Sequence, residues 1–213
     1  MRPLFPPWTN HLRRFLVVAV TGTAIYLGAV ATFGFSARAI DRGYQPKQPV
    51  PFSHRLHAGQ LGLDCRYCHS TVERQAHAAI PPTETCMGCH TRIHPTSPKL
   101  TPVRESWATG KSIPWVRVHD LPDYAYFNHA AHVQKGVGCA SCHGRIDQMD
   151  VVYQAHDLSM SWCLDCHRNP EPHLRPKSLV TQMDYKPGDP ETQKQLRVAN
   201  NVNPLQSCGT CHR

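Results

Sequence analysis

Hydrophobic positions along this 213-residue chain follow two different regimes. From Phe15 to Phe35 run 21 residues without a charge, FLVVAVTGTAIYLGAVATFGF. A helix crossing the hydrocarbon core of a bilayer needs about 20 such residues. Beyond this stretch apolar runs are few. With 19 prolines and 13 glycines, much of the chain must be turns and irregular segments, with short helices and little strand. A chain patterned this way buries a thin core unless another material fills it.

The flanks of the apolar stretch orient it. Arg13 and Arg14 precede it, with Arg2 further out; Arg38 and Arg42 follow, with Asp41 between. The bias is slight and places the N-terminus in the cytoplasm. Ala37-Arg38-Ala39 loosely fits a leader-cleavage site, but the stretch exceeds a usual leader core and an arginine sits inside the site. We therefore expect residues 1–14 in the cytoplasm, an uncleaved transmembrane helix over 15–35, and a stalk over 36–51 stiffened by Pro46, Pro49 and Pro51.

All ten cysteines fall in five copies of Cys-x-x-Cys-His. The copies are Cys65/Cys68/His69, Cys86/Cys89/His90, Cys139/Cys142/His143, Cys163/Cys166/His167 and Cys208/Cys211/His212. Two thiols three residues apart on one turn can each bond a vinyl carbon of one porphyrin, and the adjacent histidine then supplies an axial nitrogen to iron. Zinc knuckles do not require a histidine after every second cysteine. A disulfide framework explains the cysteines and not the histidines, and a redox pair needs one copy rather than five. The spacing predicts five covalently bound haem c groups. The fold expected is a multihaem cytochrome c, mostly irregular with short α-helices packed around five haems, plus one N-terminal transmembrane helix.

Charge adds less than it first promises. A formal net charge of +8 resembles that of a nucleic-acid binder. Each haem brings two propionates, however, so five would offset the excess, and no nucleic-acid role is assigned.

An internal repeat organises the remainder. Phe52-Ser53-His54-Arg55-Leu56-His57 precedes the first motif and Phe127-Asn128-His129-Ala130-Ala131-His132 the third, 75 residues later. This divides the chain into a dihaem module and bridge over 52–120, a second dihaem module over 121–170, and a proline-rich connection with the fifth haem over 171–213. The two histidines of each Phe-x-His-x-x-His lie one helical turn apart and can point to different haems. Further candidates for sixth iron ligands are His77, His119 and His156, with Met149 and Met160 as alternatives; either methionine can equally pack against porphyrin. His94 and His173 read as surface residues.

The Phe-x-His-x-x-His pattern resembles the haem-ligating segment of the small multihaem cytochromes c3 and c7. That resemblance implies that His54 serves the haem of Cys65 and His129 that of Cys139, while His57 and His132 reach other haems. Over nearly the whole chain, PFSHRLHAGQLGLDCRYCHSTVERQAHAAIPPTETCMGCH, VHDLPDYAYFNHAAHVQKGVGCASCHGRIDQMDVVYQAHDLSMSWCLDCHR and the terminal SCGTCHR are similar to the pentahaem subunit of alternative complex III. The likeness implies an electron-transfer subunit of a quinol-oxidising membrane complex. Implied partners are an iron–sulfur and molybdopterin-like subunit, polytopic quinol-binding subunits and a monohaem cytochrome c, with the haem domain on the extracytoplasmic side.

No motif has lysine in place of its histidine, the departure seen in the catalytic haem of pentahaem nitrite reductases, and no hydrolase or nucleotide-binding fingerprint occurs. No catalytic residue is assigned. The other readings are a stand-alone anchored quinol dehydrogenase and a tethered electron shuttle. In the anchor, Gly22, Ala24, Gly28 and Ala31 offer small surfaces for partner helices.

Overall fold

The computed structural model describes residues 5–34, 36 and 41–212. Phe35, Arg2 and the Ala37-Arg38-Ala39 site lie outside them. The chain divides into two compact units, Met1–Asp41 and Arg42–Arg213.

The first unit is helix α1, Thr9–Gly34. It starts ahead of the uncharged stretch, because Arg13 and Arg14 are good helix formers and extend it toward the N-terminus. Within it, the 24 residues His11–Gly34 are long and apolar enough to cross a membrane, about 36 Å at 1.5 Å per residue. Its polar side chains turn inward on the helix itself. Thr21 Oγ1 donates to the Val17 carbonyl at 2.7 Å and Thr32 Oγ1 to the Gly28 carbonyl at 2.7 Å, leaving little hydroxyl to desolvate.

The second unit strings short helices between irregular segments: α2 Cys65–Cys68, α3 Thr83–His90, α4 Thr101–Thr109, α5 His129–Val133, α6 Ala140–His143, α7 Met160–Arg168, α8 Pro190–Ala199 and α9 Cys208–Cys211. Among the described residues no strand forms; an isolated antiparallel bridge joins Val137 to Leu174.

Local capping explains where four of the helices begin. Asp64 accepts from Arg66 N at 2.8 Å to start α2, Asn128 from Ala131 N at 3.3 Å to start α5, and Ser159 from Trp162 N at 3.3 Å to start α7. Asp189 accepts from Glu191 N and Thr192 N ahead of Pro190, which occupies the first turn of α8. Helix α4 stops at Gly110, whose φ of +70° forms a left-handed cap.

Apolar packing is thin. Val50, Met87 and Val103 form a small cluster, flanked by Leu100, Ile113 and Trp115, where α3 meets α4. Leu174 and Val180 are fully buried in the fold-back after α7. The 43–51 segment, expected as a stalk, is part of the unit. Gly43 N donates to the Gln154 carbonyl at 2.8 Å, Gln154 N to the Tyr44 carbonyl at 3.1 Å, and Val50 is buried. Backbone pairing and one buried valine join this segment to the rest of the unit.

One turn of π-helix, Arg55–Gln60, carries the second histidine of the first repeat. It crosses a 3-10 turn, Ile146–Gln148, so closely that Gly59 presses on the Asp147 carbonyl where a Cβ would collide. Arg55–Asp150 at 2.6 Å and Ser53 Oγ–Asp150 at 2.8 Å hold the same crossing.

Candidate haem centres

Each Cys-x-x-Cys lies on or at the start of a helical turn: α2, α3, α6, α7 and α9 in order. Helical spacing puts the two thiols of a pair on one face, with the histidine at the end of the turn. None of the ten cysteines is joined to another in a disulfide. Burial raises most of them: Cys142 is pushed up to about 12, and Cys68, Cys86, Cys163 and Cys166 are raised for the same reason. The Cys65 and Cys139 thiols share a hydrogen bond, which together with burial raises Cys139.

The pairs are not equally sheltered. Cys89 and Cys208 are exposed, whereas the other eight cysteines are partly buried. For Cys89 the cause lies in α3: Cys86 packs against the Val50, Met87 and Val103 cluster, while Cys89, one turn on, stands beyond the cluster's edge and faces solvent. The backbone at Cys89 is fixed even so, its carbonyl accepting from Arg92 N at 3.1 Å and Ile93 N at 2.9 Å. The second motif therefore presents one sheltered and one open thiol, and Cys208 gives the fifth the same asymmetry with Cys211.

The histidines meet in pairs across long stretches of sequence. His57 faces His90 with ring centroids 6.2 Å apart, His129 faces His143 at 6.4 Å, and His132 faces His167 at 6.1 Å. Bonds on the order of 2 Å from two imidazoles to one metal, with the rings' own half-widths added, give about this separation. His54 lies beside His69. Each pair joins a histidine of the Phe-x-His-x-x-His repeat to the histidine of an attachment motif.

The repeat holds in three dimensions as well. Phe52 stacks on His57 at 4.3 Å and meets His54 edge-on at 4.9 Å; Phe127 stacks on His132 at 4.5 Å and meets His129 edge-on at 4.8 Å. One aromatic ring therefore sets the rotamers of two histidines.

Nitrogen bookkeeping fixes which ring atom is available. Nδ1 of His69 donates to the Ala79 carbonyl at 2.8 Å, that of His90 to Ile93 at 2.9 Å, that of His167 to Leu205 at 2.7 Å and that of His212 to Tyr124 at 3.0 Å. On the facing side, His57 donates to Ser53 at 2.9 Å, His129 to Ala76 at 2.8 Å and His132 to Asn128 at 2.8 Å. A carbonyl oxygen only accepts, so Nδ1 carries the proton and Nε2 keeps its lone pair. Burial acts in the same sense. His143 is lowered to about 3 and His54 to about 4, chiefly by desolvation and then by neighbouring imidazoles, so both rings are neutral at pH 7.

Among the described residues no group of three or more His, Cys, Asp or Glu side chains could hold a metal ion. Paired neutral imidazoles beside paired thiols fit a group that supplies its own equatorial donors and needs two axial ones. Haem c fits these residues.

Residues 125–213 match the family of cytochrome c7 and related cytochrome c. The chain is also 30% identical to the menaquinone reductase multihaem cytochrome c subunit of Nitratidesulfovibrio vulgaris (strain Hildenborough), covering 61% of this chain and 71% of that one. The chain belongs to the multihaem cytochromes c. Covalently bound haem c is the cofactor of that family.

The cytochrome treats the other predicted ligands differently. His119 packs edge-on against His143 at 4.5 Å, too close to leave a metal between them, and its Nε2 is buried without a partner. His156 stacks on Trp162 at 5.5 Å, while His77 lies near His129. Met149 is buried, with its terminal methyl near Gly144, and Met160 is exposed at the start of α7. His173 sits beside His156 and Arg175, and burial lowers it.

What sequence reading missed are backbone partners, the carbonyls of Ala76, Ala79, Leu205 and Tyr124, for which side-chain identity gives no signal. The phenylalanine heading each repeat was the visible trace of the ring that positions both histidines.

Proposed function

We propose that this cytochrome is a membrane-anchored five-haem electron-transfer subunit of a quinol:acceptor oxidoreductase of the alternative complex III type. The histidines that would hold four of the haem irons are the facing pairs His54/His69, His57/His90, His129/His143 and His132/His167, and His212 would hold the fifth.

The observation carrying this reading is that the motifs neighbour one another in a single file. Cys86 of the second motif lies beside Cys68 of the first, and Cys65 of the first shares a hydrogen bond with Cys139 of the third. Cys142 of the third lies beside Cys163 and Cys166 of the fourth, and Cys163 beside Cys211 of the fifth. Histidine contacts repeat the order. The second repeat docks on the first module through His129 N and Nδ1 to the Ala76 carbonyl, and His167 reaches Leu205 just ahead of the last motif. The file runs second, first, third, fourth, fifth. When bound, haem iron would supply one-electron exchange; the chain would supply the histidine nitrogens and the fixed spacing between motifs.

Helix α1, long and apolar enough to span, supports anchorage in the cytoplasmic membrane, and the arginines ahead of its apolar run favour the haem unit on the extracytoplasmic side. The two dihaem modules, 52–120 and 121–170, and the terminal segment 171–213 are the working divisions of that unit. Supporting a quinone-linked partner is the relative named for menaquinone reductase. The proposed partners are an iron–sulfur and molybdopterin-like subunit, polytopic quinol-binding subunits and a monohaem cytochrome c.

The test is gentle detergent extraction, a native gel with haem staining, and quinol addition to the isolated band. A large haem-positive band holding polytopic and iron–sulfur subunits, reduced by quinol, is expected. A lone 24.0 kDa chain reduced by quinol would make it a self-sufficient dehydrogenase, and a lone chain inert to quinol would make it a shuttle. An assembled band whose reduced haems are instead reoxidised by quinone would reverse the direction of flow.

A further inference from the structure

Arg175 is 5% exposed, in the segment that folds back on the third attachment motif. Two glycines make its approach possible. Gly136 (φ +80°) accepts Arg175 N at its carbonyl, 2.9 Å, and a Cβ there would meet the Arg175 carbonyl oxygen at 2.5 Å. A Cβ on Gly138 would lie within the guanidinium itself. Neighbouring backbone bonds lock the arrangement: Gly138 N donates to the His173 carbonyl at 3.2 Å and Cys139 N to the Val180 carbonyl at 3.0 Å.

The guanidinium is poorly compensated where it sits. Nη1 donates to the Gln182 carbonyl at 2.7 Å, the ring of Tyr185 lies 4.9 Å from its central carbon, and Nε is buried with no partner. The ion pairs among the described residues join other arginines to carboxylates, and none involves Arg175. The titratable side chains facing it are Cys139 and Tyr185. Burying a charge this way is costly. Arginine is the side chain that remains charged under such conditions.

Its position gives the cost a use. Arg175 sits against Cys139, and Cys139 against Cys65, so the charge stands where the first and third motifs meet. We propose that Arg175 is a potential-setting residue, its buried positive charge favouring the reduced iron at this junction between the two modules. The inference rests on the electron-transfer reading above. Taking up one electron without a proton makes a haem more negative by one charge, and a fixed cation in a weakly screening interior stabilises that state. Neither Arg175 nor the two glycines belong to any axial pair or thiol pair.

The experiment is an equilibrium spectroelectrochemical titration, with chemical mediators, of the intact haem-loaded protein and its Arg175→Gln and Arg175→Lys variants. In Arg175→Gln the reduced-to-oxidised ratio of at least one haem, read at its wild-type midpoint, should fall about tenfold, equivalent to 59 mV for a one-electron couple. Arg175→Lys should stay close to wild type. An Arg175→Gln titration that overlays wild type across all haems overturns the proposal.

If Arg175→Gln lacks the wild-type haem content by pyridine haemochrome, Gly138→Ala decides, since it keeps the charge and pushes the guanidinium aside. A lowered midpoint there supports the proposal, and an unchanged one overturns it. Failure of both variants to take up haem would make the residue structural and end the proposal. Mediated titration needs no quinol, so a wild-type protein inert to quinol would defeat the electron-transfer partner reading and leave this result legible.

Discussion

His129 and His143 lie nearly parallel, their ring planes 12° apart, whereas His57 and His90 cross at 64°. Mutual orientation of two axial imidazoles sets the splitting of the iron d orbitals that overlap them. Electron paramagnetic resonance of the oxidised protein should therefore show one haem with a rhombic low-spin signal and another with a strongly anisotropic one. Uniform signals across all haems would show that the pairs do not persist when haem is bound.

The facing histidines can be removed singly. His132→Ala should turn one haem, that of His167, from six-coordinate low-spin to high-spin, with haem content unchanged because the thioether bonds remain. His129→Ala should do the same to a different haem, that of His143. Visible and resonance Raman spectra of the two variants check this, and a shift of the same haem in both would contradict the pairing.

Asp64 ties three features together. It caps α2, pairs with Arg66 at 2.9 Å and accepts from Thr181 Oγ1 at 2.8 Å. The Arg66 hydrogen bond, above all, lowers its carboxyl from 3.8 to about 2. A depressed acid stabilises the fold above its unfolded value and loses that contribution as pH falls through its folded value. Asp64→Asn keeps an acceptor for the cap and removes the charge. It should be less stable than wild type at pH 5, and the difference should shrink between about pH 4 and pH 2. Much of the carboxylate is solvent-accessible, so the effect at pH 5 should be no more than about 1 kcal/mol by urea denaturation.

Gly59 presses on the Asp147 carbonyl where the π-turn crosses the 3-10 turn. Gly59→Ala should force the two apart and cost about 1–3 kcal/mol, the usual range for overpacking. Because His57 is on the same π-turn, the variant should also perturb the haem of His90 before others. Thermal unfolding followed at the haem absorbance measures the first effect and spectra at intermediate temperature the second.

The unit Arg42–Arg213 is compact by itself. Exported behind a cleavable leader, residues 42–213 should take up haem and appear in the soluble fraction. Haem staining of that fraction is the check, and haem-free aggregates would mean that the anchor is needed for maturation.

The ten cysteines, their adjacent histidines and the uncharged run from Phe15 were legible in the sequence because each is a local pattern: a spacing of three, a neighbour, a length. The repeat Phe-x-His-x-x-His was legible too, since the same six-residue grammar occurs twice. Shelter was not: Cys86 and Cys89 read alike as a pair, and only the packing of α3 leaves Cys89 open to solvent. Partner choice was not local either. His57 reaches His90 and His132 reaches His167 by a path through space that no residue spacing encodes, and His119 comes against His143 without leaving room for a metal.

Residues 43–51 read as a spacer because prolines favour extended backbone, yet extended backbone can also pair, and here it runs along the segment around Gln154. Arg175 likewise carries no signal in a proline-rich connection. Its burial follows from Gly136 and Gly138 lacking side chains at the place where the chain returns. Sequence by itself determined which atoms can bond a haem and that one helix can span a membrane, since covalent spacing and helix length are properties of neighbouring residues. Only the tertiary structure decided which motifs neighbour each other and which charge lies between them, because those depend on where the chain folds back, and backbone hydrogen bonds and close contacts far apart in sequence set that.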